Sequence, residues 1–286
     1  VTPRLSVVIP AHDEATIIAA RLDALIATDP EGALEIVVVA NGCTDATAEV
    51  AAAVSTRIRV VEVAAASKIA ALNAGDAVAT VFPRAYVDAD VTVDARALLE
   101  IADAVRPAGS PHVGAPRLVV DTSRASRAVR AYYRIWALSE YRATGHVGSG
   151  VYVVSADGRA RFGAFPDVIA DDRFVQQLFP PAERYTSPDA TFTVPAPRTY
   201  RALIRRGIRI ASGNLQIAAA FPGLAAASAS SRFSALLRRV ATRPARWPDL
   251  AVYAFGYLWP RLRARALQRR GLVPGWNRDD TTRTAS

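Results

Sequence analysis

The sequence predicts an α/β fold, a Rossmann-like wound mixed sheet flanked by helices, with a helical C-terminal extension. Three observations predict it. Short runs rich in Val and Ile alternate with helical periodicity at close spacing through the first half of the chain, the pattern of parallel strands joined by crossover helices. The second and fourth of these runs end in an Asn-Gly turn and an Asp-x-Asp pair, at the strand edge where open α/β sheets bind ligands. The composition then changes: residues 201–286 carry 16 arginines against three aspartates, whereas residues 1–200 are net acidic.

The elements follow in order. Residues 5–9 form an apolar strand stopped at Pro10, and residues 14–27 a helix with Ile17, Ile18, Leu22 and Leu25 on one face. Residues 35–40 are a buried strand, closed by Asn41-Gly42, with a helix over 44–54. A third strand spans 57–63, a helix 67–79 and a fourth strand 80–87, followed by a helix over 93–104. Beyond these come a strand at 113–120, a long amphipathic helix over 124–142, a strand at 151–155 after the Gly148-Ser149-Gly150 turn, and a strand at 192–194. Residues 201–209 are a basic stretch, 215–229 are Ala-rich with a linker at 228–231, 233–240 are a short basic helix, and 249–270 run from apolar to Arg-rich.

The 286 residues suffice for one large α/β domain or two small ones. A single cysteine, Cys43, excludes an internal disulfide and fits a reducing compartment. Arg4 and the first strand follow the start at once, so no signal peptide is expected. No apolar run reaches the roughly 18 residues of a membrane span. The expected localisation is cytoplasmic, with a peripheral position at the inner face of the membrane as the variant that the basic C-terminus suggests. Of 35 basic residues only Lys68 is a lysine, which marks a place where a compact ammonium is preferred to a guanidinium.

Several constellations carry chemistry. Asp88 and Asp90, one residue apart at a strand end, point to the same side and offer hard oxygen ligands for Mg²⁺ or Mn²⁺. Pro10-Ala11-His12-Asp13-Glu14 and Asn41-Gly42-Cys43-Thr44-Asp45 serve either as helix caps and turns or as nucleoside contacts. Lys68, near a strand-end carboxylate pair, suits a phosphate. Asp171-Asp172 reads both as an acidic helix N-terminus and as a pair in which one member is a general base. His12, His112 and His146 show no metal-ligand spacing.

In this order the segments resemble the family 2 inverting glycosyltransferases of the GT-A fold. Residues 7–14 are similar to that family's opening strand and acidic turn, and residues 39–45 to its D-(D/N)-G-S-x-D segment. Lys68-Ile69-Ala70-Ala71-Leu72-Asn73-Ala74-Gly75 matches K-x-x-A-L-N-x-G; Asp88-Ala89-Asp90 takes the D-x-D position, and Asp171-Asp172 that of E-D. Arg206-Gly207-Ile208-Arg209-Ile210 is similar to Q-x-x-R-W. The departures are Ala40 for the first acidic residue of the second motif, Arg206 and Ile210 for Gln and Trp of the last, and Asp171 for Glu. They bear on nucleobase choice and argue against processive polymer synthesis. No C-terminal histidine offers a further metal ligand.

The resemblance implies a catalytic domain over residues 1–215, with a nucleotide-sugar half to about 110 and an acceptor half after it, and a basic extension over 216–286. It implies a UDP- or GDP-sugar donor, a hydroxyl acceptor and a Mg²⁺ or Mn²⁺ ion. Asp172 would be the base; Asp90, with Asp88, the metal ligand. Pro10, Asp13, Glu14, Asn41, Asp45, Lys68, Asp88 and Ala89 would face the donor, with Arg206 and Arg209 reaching it from a C-terminal loop. Gly148, Ser149, Gly150 and Asp171 would lie on the acceptor side. For residues 249–270 the readings are a helix packed on the domain, first, then contact with an anionic membrane, suited to a lipid-linked acceptor; no nucleic-acid partner is expected. Two other classes compete: a nucleotidyltransferase, disfavoured by the absence of a Gly-rich phosphate loop after the first strand, and a non-catalytic nucleotide-sugar binder, disfavoured by intact acidic motifs.

Overall fold

The computed structural model describes residues 2–109, 111–139, 146–225, 236 and 238–272. Seven strands form one mixed sheet in the order β3-β2-β1-β4-β6-β5-β7. The strands are β1 Leu5–Ala11, β2 Leu34–Asn41, β3 Ile58–Val63, β4 Arg84–Val87, β5 Val113–Asp121, β6 Val151–Val154 and β7 Arg184–Pro195. The first four run parallel, with β1 between β2 and β4, because each pair is joined by a crossover helix: α1 Ile18–Ala27, α2 Thr47–Val54 and α3 Lys68–Val78. β6 lies antiparallel to both β4 and β5, and β7 pairs parallel with β5. Strands β1, β2 and β4 therefore present their carboxyl ends along one edge, with the amino end of β6 beside β4.

Period-2 alternation divides the core. Val7, Ile9 and Ala11 of β1 face one layer, with Leu22, Leu98 and Ile101 of α1 and α4 (Ala95–Val105). Val8 faces the other, with Leu72 of α3, Tyr86, Tyr152 and the helix α7 (Asp171–Leu178) through Phe174 and Val175. Ser67 caps α3 by accepting the Ala70 N–H, and Asp94 caps α4 by accepting the Ala97 N–H at 2.6 Å.

Several expected bounds shift. The helix expected from residue 14 is regular only over α1, because Glu14–Ile17 form a turn in which the Ile17 and Ile18 N–H groups donate to the Glu14 carbonyl. The fourth strand begins at Arg84, not residue 80: Thr80 and Val81 are held by the side chains of Glu35 and Ser6 rather than by a neighbouring strand. The amphipathic helix is α5, Arg127–Trp136, capped by Ser126; its expected end at 140–142 lies outside the described residues, as does the linker at 228–231. The strand expected at 192–194 is the end of the twelve-residue β7. Short helices α6 (Ala156–Arg159) and α9 (Pro222–Ala225) complete the middle of the chain.

The basic stretch is not a loop. It opens the 21-residue helix α8, Tyr200–Ala220, capped by Thr199 and continuous through residue 215. Residues 236 and 238–240 are helical, and the last long element is α10, Trp247–Arg269. α10 packs on α5 and α8, burying Tyr253, Gly256, Pro260 and Ala264. The Tyr253 ring lies 4.9 Å from that of Tyr132, Tyr200 Oη donates to the Val252 carbonyl at 2.6 Å, and Arg134 grips Asp249 through two bonds of 2.8 and 2.7 Å. The helix thus packs against its own chain, yet Phe255, Leu258, Trp259 and Leu262 remain exposed. Among the described residues no helix is long and apolar enough to cross a membrane.

Candidate active site

The site forms where β4, β6, α3 and α7 meet at the sheet edge. Lys68, the first residue of α3, reaches Asp88 Oδ1 at 2.7 Å and Asp171 Oδ1 at 2.8 Å. One ammonium thus joins the D-x-D segment to the acidic start of α7. Asp171 is almost wholly buried, and its other oxygen accepts from Tyr152 Oη at 3.2 Å. Burial works against the Lys68 charge, but Asp171, Asp88 and Asp172 outweigh it and hold the lysine pKa well above its usual range. Burial, with Asp172 and Asp88 nearby, pushes the Asp171 carboxyl up, while Lys68 pulls it down. Burial and the same carboxylate raise Tyr152, so its hydroxyl stays protonated and donates.

Asp172 sits beside this pair but outward of it. Its Oδ2 accepts the Ser149 N–H at 2.7 Å and its Oδ1 the Arg173 N–H at 2.7 Å. The glycine turn makes the first bond available: Gly148, Ser149 and Gly150 all take positive φ, at 113°, 65° and 103°. A Cβ on Gly148 would stand 2.9 Å from Asp172 Cβ, and one on Gly150 would stand 2.9 Å from Val91 Cγ2 and 3.2 Å from Asp88 Oδ2. The Gly150 carbonyl also accepts the Asp88 N–H at 2.8 Å, extending the β4–β6 ladder one residue into the site. The turn therefore touches both the carboxylate expected to be the base and the D-x-D segment. His146 supports it from behind, with Nε2 2.9 Å from Ser149 Oγ.

Arg209 reaches this cluster from α8, not from a loop. Its burial and the neighbouring Arg206 lower its pKa, opposed by Asp88, Asp90 and Asp172. The hard carboxylate oxygens of Asp88 and Asp90, next to cationic groups able to take phosphates, fit Mg²⁺ or Mn²⁺ bound by one or two carboxylates and a substrate. Ala89 between them is buried in the core.

The residues expected at the nucleoside end form a second cluster, at the ends of β1 and β2. Pro10 pairs with Val39 in the ladder. Asp13 adopts φ 48° and accepts the Thr44 N–H at 2.6 Å. Asp45 accepts the Ala15 N–H at 3.1 Å and also bonds Thr47. Glu14 is buried, with its N–H on Thr47 Oγ1 at 2.7 Å. Asn41 is fully buried and donates to the Ala11 carbonyl at 2.7 Å, tying β2 to β1. Its side chain thus ties the two strand ends together here. Sequence reasoning missed Tyr152, which sits in an apolar strand and reads as core. The signal available was its place two residues beyond the glycine turn.

Comparison with known proteins bears on the family and the fold. The model of "Glycosyl transferase family 2" matches residues 6–160. No curated protein sequence matches the chain. Among solved structures, the mannosyltransferase PcManGT from Pyrobaculum calidifontis, in complex with GDP-Man and Mn²⁺, superposes with a TM-score of 0.59 at 23% identity, over 95% of this chain and 80% of that one. S. aureus TarS 1-349 gives 0.51 at 16% identity, over 92% and 83%. The same protein in complex with UDP-GlcNAc gives 0.52 at 14% identity, over 94% and 92%. These structures share the mixed sheet and flanking helices of the GT-A fold. With more than half of its length matched by the family model, the chain belongs to glycosyl transferase family 2 and is a glycosyltransferase.

Proposed function

We propose that the protein is a divalent-metal-dependent, inverting glycosyltransferase that moves a sugar from a UDP- or GDP-sugar to an acceptor hydroxyl, with Asp172 as the general base. The observation that carries this reading is the pair of roles held apart at the sheet edge. Lys68 locks Asp171 and Asp88, while Asp172, next in sequence, is left to face outward with its orientation set by the Ser149 N–H. PcManGT and TarS, which share the fold, were crystallised with GDP-Man and UDP-GlcNAc, in keeping with such a donor.

Asp172 takes the proton of the acceptor hydroxyl as its oxygen bonds to the anomeric carbon. The bond from that carbon to the diphosphate breaks on the opposite face, which inverts the centre. Each Asp172 oxygen spends one lone pair on a backbone N–H and keeps another for this proton. Lys68 and Arg209 offset the charge that gathers on the departing diphosphate. Asp90 and the second oxygen of Asp88 would hold the metal, whose chemistry is Lewis-acid neutralisation of that diphosphate. Gly148 and Gly150, without side chains, let the acceptor approach the base.

General-base assistance is typically worth about 10²–10⁴ in rate. Asp172→Asn keeps the side chain's size and one acceptor oxygen, gives up the second backbone bond and loses the basic oxygen, so single-turnover rates should fall by at least about that factor while donor affinity, read by calorimetry, stays within about threefold. Turnover at the wild-type rate would refute the assignment of Asp172.

A further inference from the structure

A second group of metal-ligand side chains stands apart from the Lys68–Asp88–Asp171 centre. His12, Asp13 and Cys43 come from the turns after β1 and β2, and one ligand atom from each lies within 4.8 Å of the others. It is the one such group of three among the described residues. Separations of one and thirty in sequence hide it; the β1–β2 pairing creates it, with Ala11 opposite Ala40 at the strand ends.

The three side chains converge, each with one ligand atom near those of the other two. His12 Nδ1 lies 2.6 Å from the Asn41 carbonyl oxygen. A carbonyl has no proton to give, so Nδ1 carries the hydrogen and the lone pair sits on Nε2, on the side of Asp13, as in metal-bound imidazoles oriented by a carbonyl behind them. Asp13 Oδ1 is taken by the Thr44 N–H at 2.6 Å and the Thr44 hydroxyl at 3.2 Å. The other oxygen, Oδ2, lies 3.7 Å from His12 Nε2. Ligands bound tetrahedrally to Zn²⁺ at about 2.0–2.3 Å stand roughly 3.3–3.8 Å apart, so this edge needs no rearrangement. Cys43 Sγ rests 3.6 Å from the Ala11 carbonyl and 3.9 Å from that of Asn41, both weak contacts that a thiol exchanges for a metal bond by releasing its proton to solvent. Asp13 holds a positive φ that a non-glycine residue adopts only under constraint.

We propose that His12, Asp13 and Cys43 bind a thiophilic divalent cation of the Zn²⁺ class, leaving one coordination position open. Thiolate and imidazole select such an ion over Mg²⁺, whereas the all-oxygen pair Asp88 and Asp90 selects the reverse. The two ends of the crevice are thereby matched to different ions.

The test uses the full-length chain without donor, so its outcome is independent of the transfer reaction. Equilibrium dialysis against Zn²⁺ in excess Mg²⁺, with metal counted by mass spectrometry, should find about one Zn²⁺ per chain. Co²⁺ in its place should show thiolate-to-metal charge-transfer absorption. His12→Gln and Cys43→Ser, each checked for fold by circular dichroism, should weaken Zn²⁺ by about tenfold or more, and Asp90→Asn should leave it unchanged. In the unmutated protein Zn²⁺ should protect Cys43 from alkylation, a readout that needs no variant. No bound Zn²⁺, binding retained in both variants, or Cys43 alkylated as fast with Zn²⁺ as without it would overturn the proposal.

Discussion

At the scale of the residue, Lys68 holds the site together. The ammonium that faces Asp88 and Asp171 sits on a side chain about a quarter exposed, while the Asp171 side chain is 3% exposed. Removing one partner of a buried ion pair costs about 3–5 kcal/mol, because the other charge is left unpaired in a poor solvent. Lys68→Met should therefore lower the urea midpoint by an amount equivalent to about 3 kcal/mol and abolish transfer. A midpoint unchanged from wild type would show that the lysine is not paired as described. Much at this scale was legible in the sequence: one lysine among 35 basic residues, an Asp-x-Asp after a buried strand and an acidic pair before a helix. The bond between Lys68 and Asp171 was not, since 103 positions of chain separate them and no local pattern records their meeting. Nor was the difference between Asp171 and Asp172. Adjacent in sequence, they diverge because α7 begins between the buried Tyr152 and the glycine turn, turning one carboxylate inward to the lysine and the other outward to the Ser149 N–H.

At the scale of the element, the strand ends are anchored from below. Asp76 at the end of α3 accepts from Tyr86 Oη at 2.5 Å, from Arg84, and from Arg159 of α6 at 3.0 and 2.7 Å. It clamps α3 and α6 to β4, and so fixes the strand whose other end carries Asp88. Burial raises its pKa, but the bonds from Tyr86, Arg84 and Arg159 outweigh that and hold it below the usual carboxylate value. The sign follows: a depressed folded pKa contributes stability that is full above the unfolded value, about 3.9, and is lost as pH falls through the folded one. Asp76→Asn should be less stable at neutral pH, and its thermal midpoint should fall less between pH 5 and pH 3 than that of wild type; parallel pH profiles would contradict this. Helix α8 is placed by close approach: a Cβ on Gly207 would lie 2.9 Å from Pro260 of α10. That contact sets the helix carrying Arg206 and Arg209 against the C-terminal helix, and explains why these arginines arrive from a helix when the sequence suggested a loop. Arginine-rich character is silent on backbone conformation, and the apolar side of α8 is read only against α10.

At the scale of the whole molecule, charge and apolar surface coincide on the C-terminal side. Phe255, Leu258, Trp259 and Leu262 are exposed on α10, with the Phe255 and Trp259 rings stacked at 5.8 Å, and Arg261, Arg263, Arg265 and Arg269 lie on the same helix. Aromatic rings beside arginines suit an anionic lipid surface, and a lipid-linked acceptor would place the reaction there. Deleting α10 would strip Tyr253 and its partners from α5, so the test keeps the chain whole. Phe255→Ser with Trp259→Ser should reduce co-sedimentation with anionic vesicles by about tenfold without changing thermal stability, and neutral vesicles should bind neither protein. Equal sedimentation of variant and wild type would remove the membrane from the account.

What the sequence by itself determined is the alternation of strands and helices through the first half of the chain, the place of Asp13, Asp45 and Asp88 beyond strand ends, and the family. These are local: hydrophobic period, turn residues and short motifs act over a few neighbours. Only the tertiary structure decided which carboxylate is locked and which is turned outward, that Asn41 ties strands together, that Arg209 arrives on a helix, and that His12, Asp13 and Cys43 meet. Each depends on strands and helices distant in the chain packing side by side, and packing brings together side chains whose separation in sequence carries no trace of their distance in space.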